Sequence, residues 1–305
     1  MHSPINQAQR SGSDAPAAPA AEFCAVCRST SRNPFVRHDG HTVVECGGCG
    51  LRYLYPMPST EAASALYSDD YFRNDSPLAR GYDDYEAERD NMRATFRDRL
   101  RFLPKPARHE RLLDVGAAAG FFVEQARLAG WDAEGIELNG WAAEYAREKL
   151  AVPVRHGSLE DAGYPDRSFA AVTLWEVIEH IPQPREFIRE IARILQPGGV
   201  LALSTPDAGS AVARVFGRRW LGWKKIPEHV YFFDRETLGR LLREEGFEIL
   251  STRYVSLTVR AAYALERLAA LVGVPWLARV PKIIGNAPIR VNPLYDLMLV
   301  ARLRE

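Results

Sequence analysis

Four cysteines form two pairs near the start of the chain, and the sequence contains no others. The first pair is Cys24-Ala-Val-Cys27 and the second is Cys46-Gly-Gly-Cys49. A Cys-x-x-Cys turn places two thiolates on one side of a metal ion, and a hairpin can bring a second turn up to complete a tetrahedral site. The spacing therefore predicts a zinc ribbon whose Zn²⁺ is structural, because four sulfur ligands leave no open position.

Two other interpretations of the cysteines remain open. They could be unrelated thiols or two disulfides, but residues 1–21 lack the basic start and apolar stretch of a secretory signal. We therefore expect a cytoplasmic, reducing location, where disulfides are rare. His38 and His41 lie between the two pairs, and either could in principle replace one cysteine as a ligand.

A turn rich in small residues is the second segment that could do chemistry. Residues 114–121, Asp-Val-Gly-Ala-Ala-Ala-Gly-Phe, follow a short apolar strand and begin a helix. Small side chains there let a cofactor approach the backbone N–H groups, but the turn lacks the G-x-G-x-x-G phosphate fingerprint. Glu137 ends the next strand, where a carboxylate can accept both hydroxyls of an adenosine ribose. The combination favours a nucleoside cofactor over a dinucleotide.

Two histidines are candidates for proton transfer. His180 follows the fourth strand, at the carboxyl edge where doubly wound sheets bind their ligands. Glu228 and His229 lie in an irregular segment after the fifth strand, which can fold over the same edge. A general base of this kind would deprotonate an acceptor. The alternative for each histidine is a structural role, with the imidazole bonded to a loop carbonyl.

The elements that must position these residues alternate regularly from Arg111 onward. Short apolar strands are separated by amphipathic helices, which is typical of an α/β protein with a parallel sheet wound with helices. The predicted strands cover residues 111–115, 131–137, 152–155, 170–175, 200–204, 247–254 and 296–303. The predicted helices begin at Phe121, Trp141, Arg185 and Arg235. The pattern thus predicts a doubly wound, seven-stranded sheet.

The sequence divides into five predicted segments. They are a disordered tail over 1–21, a zinc ribbon over 22–58, a helical linker or lid over 59–108, a core over 109–205, and an acceptor-binding insertion with the C-terminal strands of the core over 206–305.

Residues 109–205 resemble the class I S-adenosylmethionine-dependent methyltransferases, which share this acidic residue, glycine-rich turn and second acidic residue. The resemblance implies a Rossmann-like fold and S-adenosylmethionine as cofactor, with Asp114, Gly116 and Gly120 at its methionine end. Ala118 stands where many members have glycine, and Ser158 stands where many have aspartate. The cofactor-binding residues that the resemblance implies are Asp114, Gly116, Ala118, Gly120, Phe121, Glu137, Leu138, Ser158, Leu159 and Trp175.

The order of the motifs also resembles, in part, the deoxysugar C-methyltransferases, which act on nucleotide-linked keto-sugars. In that family the residues matching His180, Glu228 and His229 lie at the acceptor, and a tyrosine ahead of the core contributes. The candidates for this tyrosine are Tyr71, Tyr82 and Tyr85. The resemblance implies methyl transfer to an oxygen or carbon atom of a small-molecule acceptor, with a nucleotide- or lipid-linked sugar as the expected type.

A basic cluster over residues 218–225, Arg-Arg-Trp-Leu-Gly-Trp-Lys-Lys, could serve such an acceptor. Its cations could bind a diphosphate while its indoles stack on a base or sugar, or the segment could contact an anionic membrane surface. A solvated basic loop is the alternative.

The net charge and the motifs also allow three alternative functions to be compared. Lys plus Arg and Asp plus Glu both count 39, so the formal net charge is zero and nucleic acid is disfavoured as a partner. An RNA base methyltransferase is therefore the weaker alternative. A quinone or small-phenol methyltransferase is supported by the phrase Trp175 to Pro182, and a non-catalytic cofactor-binding zinc scaffold also fits. The oligomeric state is left open.

Overall fold

The computed structural model describes residues 23–67, 85–274 and 285–305. The predicted tail over 1–21 lies outside these residues. The central sheet has seven strands, in the order β10-β13-β8-β7-β4-β5-β6. The strands are Arg111–Val115 (β4), Asp132–Glu137 (β5), Val154–His156 (β6), Phe169–Trp175 (β7), Leu195–Pro206 (β8), Phe247–Tyr254 (β10) and Asp296–Leu303 (β13).

Strands β6, β5, β4, β7 and β8 are parallel, whereas β13 runs antiparallel to both of its neighbours. Leu112 and Leu113 on β4 are both fully buried, as expected for a central strand covered on both faces. The predicted α/β fold with a seven-stranded doubly wound sheet is confirmed. Strand β8 begins at Leu195, five residues before the strand predicted over 200–204, and ends at Pro206.

The helices that flank the sheet bury one face each. They are Tyr85–Leu100 (α2), Phe121–Leu128 (α3), Gly140–Lys149 (α4), Pro184–Ile194 (α5) and Arg235–Glu244 (α7). Helix α5 begins on a proline and buries Phe187, Ile188 and Ile191 at the spacing of one helical face. Helix α2 packs on α3, with the rings of Phe96 and Phe122 5.5 Å apart.

The cysteine-bearing segment forms a second sheet that is not confined to the N-terminal region. Arg32–His38 (β1), His41–Cys46 (β2) and Arg52–Leu54 (β3) are antiparallel, and Tyr231–Phe232 (β9) adds to the edge of β3. The segment after β8 was predicted to be irregular up to residue 234. The structure instead places β9 in this segment. A strand of two residues shows no detectable alternation in the sequence, and this strand forms by pairing with distant β3.

The remaining elements lie around these two sheets. Thr60–Ser64 (α1) follows the cysteine-bearing segment, and Ala211–Phe216 (α6) begins the insertion. Leu257–Arg260 (β11), Ala261–Val272 (α8) and Pro288–Val291 (β12) form a small unit against α2, where the Thr258 amide donates to Thr95 Oγ1. None of the helices in the described ranges is long and apolar enough to cross a membrane.

Candidate functional site

The four cysteines converge as the spacing predicted. The Sγ atoms of Cys24 and Cys49 are 3.7 Å apart, and those of Cys27 and Cys46 are 3.4 Å apart. A tetrahedral Zn²⁺ with Zn–S bonds of about 2.3 Å separates its sulfurs by about 3.8 Å, so the set fits this ion. The hydrogen bond between Cys24 and Cys49 lowers the pKa of Cys24 and raises that of Cys49, and burial raises the pKa of Cys46. The cluster consists of cysteines only and includes neither His38 nor His41.

The first cysteine turn is attached directly to the catalytic core. Arg185 on α5 donates to the carbonyl oxygens of Ala25 at 3.0 Å and Val26 at 2.6 Å. The same guanidinium is paired with Glu244, the last residue of α7, and with Glu245, which follows it. The position of the cysteine cluster is therefore set by the helices that cover the sheet.

The turn between β4 and α3 needs its glycines for two reasons. Gly116 and Gly120 have φ of +72° and +81°, a region that favours glycine. A Cβ at Gly116 would lie 2.6 Å from Val177 Cγ2, and one at Gly120 would lie 2.8 Å from Ala146 Cβ. The turn therefore packs its backbone closely against neighbouring side chains, which explains both glycines, and the approach of a cofactor to this turn stays a prediction.

Ala118 adopts φ +46° in the middle of this turn, where a non-glycine residue is strained by about 1 kcal/mol. The Ala118 amide donates to Glu137 Oε2 at 2.8 Å, which helps hold that conformation. The turn thus persists despite the alanine.

Glu137 retains capacity for a ligand. Its Oε1 accepts from the Asn139 amide at 2.8 Å, and its Oε2 accepts from Ala118. Each carboxylate oxygen can accept a second hydrogen bond, so the group can still bind two vicinal hydroxyls. Burial raises the pKa of this carboxyl. The predicted contact with ribose fits this geometry and stays a prediction.

Asp114 is directed into the sheet. It is 1% exposed and accepts a hydrogen bond from Thr173 Oγ1 on β7 at 2.7 Å. Burial raises the pKa of its carboxyl to about 8. The structure therefore shows Asp114 supporting the turn from within, next to the predicted methionine end.

Three of the other predicted cofactor residues are core residues. Phe121 and Leu159 are almost completely buried. Trp175 is 8% exposed, and its ring lies 5.0 Å from that of Phe122. Packing accounts for Phe121 and Leu159, whereas Trp175 Nε1 is buried without a hydrogen-bond partner among the described residues. Contact of all three residues with the cofactor stays a prediction.

The two remaining predicted cofactor residues are accessible. Leu138, just after Glu137, is 43% exposed. Ser158 donates to Asp161 Oδ2 at 2.8 Å. This serine closes its own loop, which offers a reason for serine at this position that is separate from adenine binding.

The candidate proton-transfer residues come together at the carboxyl end of β7. The rings of His180 and His229 lie 4.6 Å apart and nearly perpendicular. His180 Nδ1 is 2.9 Å from the carbonyl oxygen of Glu228. Because a carbonyl only accepts hydrogen bonds, Nδ1 carries the proton, and Nε2 presents its lone pair.

Burial keeps both imidazoles neutral. It lowers the pKa of His180 to about 4 and that of His229 well below the usual range. Glu228 is also buried, with its Oε2 3.8 Å from Lys225 Nζ. Neutral imidazoles can accept protons or bind metals at neutral pH.

Sequence reasoning missed Glu179, which lies between the two histidines. It is 1% exposed, and its Oε1 is 3.9 Å from His180 Nε2 and 4.0 Å from His229 Nε2. Its Oε2 accepts from Thr205 Oγ1 at 2.9 Å. The Glu-His dipeptide directly after a buried strand was the available signal.

The buried indoles of the basic cluster overturn one prediction. Trp220 and Trp223 are only 2% and 4% exposed, so they do not stack on a ligand as predicted. Trp223 instead packs 4.6 Å from the ring of Phe232 and 5.7 Å from that of Phe35. The indoles attach the insertion to the sheet of the cysteine-bearing segment, a contact that residue spacing does not reveal. Arg218 and Arg219 are exposed.

The structure does not distinguish among the three candidates for the tyrosine ahead of the core. Tyr71 and Tyr82 lie outside the described residues. Tyr85 is the first residue of α2, and its side chain is outside the description as well.

Comparison with known proteins agrees with this fold. Residues 85–252 match the methyltransferase domain family, and the chain belongs to it. A SAM-dependent methyltransferase structure from Archaeoglobus fulgidus aligns with a TM-score of 0.50 at 16% identity, covering 72% of this chain and 98% of that one. The chain is therefore a member of the class I S-adenosylmethionine-dependent methyltransferases, as predicted.

The sequence relatives include quinone-pathway enzymes. A ubiquinone biosynthesis O-methyltransferase from Bordetella avium is 34% identical over 192 residues, which cover 57% of this chain and 78% of the relative. One from Thiobacillus denitrificans is 31% identical over 156 residues, 47% of this chain and 66% of the relative. This chain thus spans just under two thirds of the latter's length.

Proposed function

We propose that the protein transfers a methyl group from S-adenosylmethionine to a hydroxyl oxygen of a small phenolic or quinol acceptor. The observation that carries this proposal is the placement of two neutral histidines at the carboxyl edge of the sheet that also bears the glycine-rich turn and Glu137. The names of the relatives favour the quinone alternative over the sugar acceptor predicted first.

The cofactor end is formed by the turn and by the end of β5. When bound, S-adenosylmethionine supplies an electrophilic methyl group on a sulfonium. The turn from Gly116 to Gly120 brings the backbone close to the cofactor, and Glu137 accepts the ribose hydroxyls. Asp114 holds the turn through Thr173 on the neighbouring strand. These residues bind and orient, so that in-line geometry lowers the barrier.

The acceptor end is formed by His180, Glu228 and His229. The acceptor hydroxyl loses its proton into this cluster as its oxygen forms the new bond to the methyl carbon. The sulfur–methyl bond breaks, and its electron pair stays on the sulfur. A phenol suits this arrangement because its pKa near 10 needs less help from the protein than an alcohol does.

The zinc ribbon is the second part of the proposal. Four sulfurs at tetrahedral separations support a structural Zn²⁺ that holds the sheet of β1, β2, β3 and β9. The cytoplasmic location, contact with a membrane surface through Arg218 and Arg219, and a sugar-linked acceptor stay predictions.

The test is a transfer assay with methyl-labelled S-adenosylmethionine and three acceptor classes: catechols and quinols, nucleotide-linked keto-sugars, and RNA. We expect product only with the first class. His229→Ala should lower kcat by roughly 10²-fold with unchanged cofactor affinity by calorimetry. Labelled sugar or RNA without labelled phenol would refute the acceptor class, and cofactor binding without any product would favour a scaffold.

A further inference from the structure

Three atoms of metal-binding type converge at the acceptor end, away from the cysteines. They belong to Glu179, His180 and His229, whose ligand atoms all lie within 4.8 Å of one another, and Glu179 Oε1 faces Nε2 of both histidines. Glu179 and His180 follow β7, whereas His229 comes from the insertion more than forty residues later. The fold therefore assembles this set from two distant segments.

The carboxylate oxygen in this set lacks a hydrogen bond. Within residues 23–67, 85–274 and 285–305, Glu179 Oε1 is buried and has no hydrogen-bond partner. Its distances of 3.9 and 4.0 Å to the two imidazole nitrogens are too long for hydrogen bonds. A buried polar atom without a partner is costly, so its position facing two nitrogens requires an explanation.

The distances suit an ion between the three atoms. Metal–ligand bonds of about 2.1 Å at tetrahedral angles separate ligand atoms by about 3.4 Å. The carboxylate–imidazole distances exceed this by about 0.5 Å, a contraction that side-chain rotation can supply. Two imidazoles and one carboxylate are also a ligand set typical of divalent transition metals with open positions.

Hydrogen bonds from neighbouring groups orient two of the three proposed ligands. His180 donates from Nδ1 to the Glu228 carbonyl oxygen, which directs the Nε2 lone pair toward Glu179. Glu179 Oε2 accepts from Thr205 Oγ1, which fixes the carboxylate plane. Such outer hydrogen bonds orient ligands and are regular companions of metal-binding histidines.

The charges around the three atoms are mixed. Glu176 and Asp296 lie close enough to Glu179 for their charges to act on it. Arg99 is paired with Asp296 at 3.1 Å, and Lys225 faces Glu228 at 3.8 Å. Glu179 is thus next to two imidazoles and two acidic side chains, and the charge of Lys225 acts on both imidazoles.

We propose that Glu179, His180 and His229 bind a divalent transition-metal cation that leaves coordination positions open to the acceptor oxygen. The binding of the cation stands independently of the proposed function, whereas its role rests on it. Coordination lowers the pKa of an acceptor hydroxyl. The released proton goes to the Glu228 carboxylate, and the oxygen then takes the methyl group as the sulfur–methyl bond breaks.

The test uses Mn²⁺, which prefers oxygen and nitrogen ligands and competes poorly for a zinc-loaded four-cysteine site. Full-length protein loaded with a single equivalent of Zn²⁺ per chain, which the four-cysteine site takes first, is titrated with Mn²⁺ and followed by electron paramagnetic resonance. We expect one bound Mn²⁺ per chain. Glu179→Gln and His229→Gln should each weaken Mn²⁺ binding by at least roughly tenfold, with unchanged circular dichroism and S-adenosylmethionine affinity. The control is Glu248→Gln, at an exposed glutamate on β10, which should bind Mn²⁺ normally.

The outcomes separate this proposal from the proposed function. Mn²⁺ that binds to wild type and is lost in both variants supports the site, even if no phenol is methylated. Absence of Mn²⁺ binding, or binding that both variants retain, overturns the site. Phenol methylation that continues unchanged after Mn²⁺ is removed, with zinc retained, would leave the histidines as bases and refute the catalytic role.

Discussion

Loss of the proposed Zn²⁺ should impair methyl transfer while leaving cofactor binding intact, because the sheet of the cysteine-bearing segment supports the segment that carries His229. The Leu54 amide at the end of β3 donates to the Val230 carbonyl oxygen at 2.9 Å. The Val230 amide in turn donates to the Glu179 carbonyl oxygen at 2.9 Å. The residue beside His229 is thus held between the ribbon and the turn that bears His180.

The expected fall in kcat follows from comparing the free energy of zinc binding with that of the backbone hydrogen bonds to β9. A structural Zn²⁺ contributes about 10–16 kcal/mol in zinc-finger peptides, which equals or exceeds the stability of a whole domain, about 5–15 kcal/mol. Zinc loss should therefore unfold the small sheet. Each backbone hydrogen bond to β9 contributes only about 1 kcal/mol, too little to preserve the position of His229 alone. We expect kcat to fall by roughly 10²-fold, as for removal of the histidine itself.

The assay compares wild type with Cys49→Ser by zinc quantification, calorimetry with S-adenosylmethionine, and turnover. The cofactor affinity should change little, because Gly116, Gly120 and Glu137 lie on the central sheet and its first turns. Normal kcat in zinc-free protein would refute the supporting role of the ribbon. Equal loss of cofactor binding and turnover would show that the ribbon stabilises the whole core and has no selective effect on His229.

Three further predictions concern the cofactor end. Ala118→Gly removes the strain of a left-handed alanine and should stabilise the protein by up to about 1 kcal/mol in thermal unfolding; a lower Tm would contradict this. Glu137→Gln should weaken S-adenosylmethionine binding by about 1–3 kcal/mol, roughly ten- to hundredfold by calorimetry, and unchanged affinity would exclude the ribose contact. The raised pKa of Asp114, about 8 against an unfolded value near 3.8, means that the folded state retains a proton that the unfolded state loses as pH rises. Asp114 should therefore lower the free energy of unfolding as pH rises from about 4 to 8, which appears as a falling Tm. Asp114→Asn should make the fall in Tm over this pH range smaller.

Local sequence patterns were sufficient for the parts of this protein whose signals lie within a few residues. The Cys-x-x-Cys pairs, the small residues of the turn, and the alternation of strands and helices each reflect local geometry, so the cysteine cluster and the seven-stranded sheet could be predicted. The meeting of His180 with His229 was also predictable, because both follow strands whose carboxyl ends share one edge.

The tertiary structure alone decided the features that depend on distant contacts. Strand β9 exists through its pairing with β3, and Trp220 and Trp223 are buried because the insertion packs on the ribbon. Glu179 became a candidate only when its environment showed a buried oxygen facing two imidazoles. Periodicity describes how a residue relates to its own helix or strand. It carries no information about which distant segment closes over that residue, and in this protein that closure determines the environment of the proposed acceptor site.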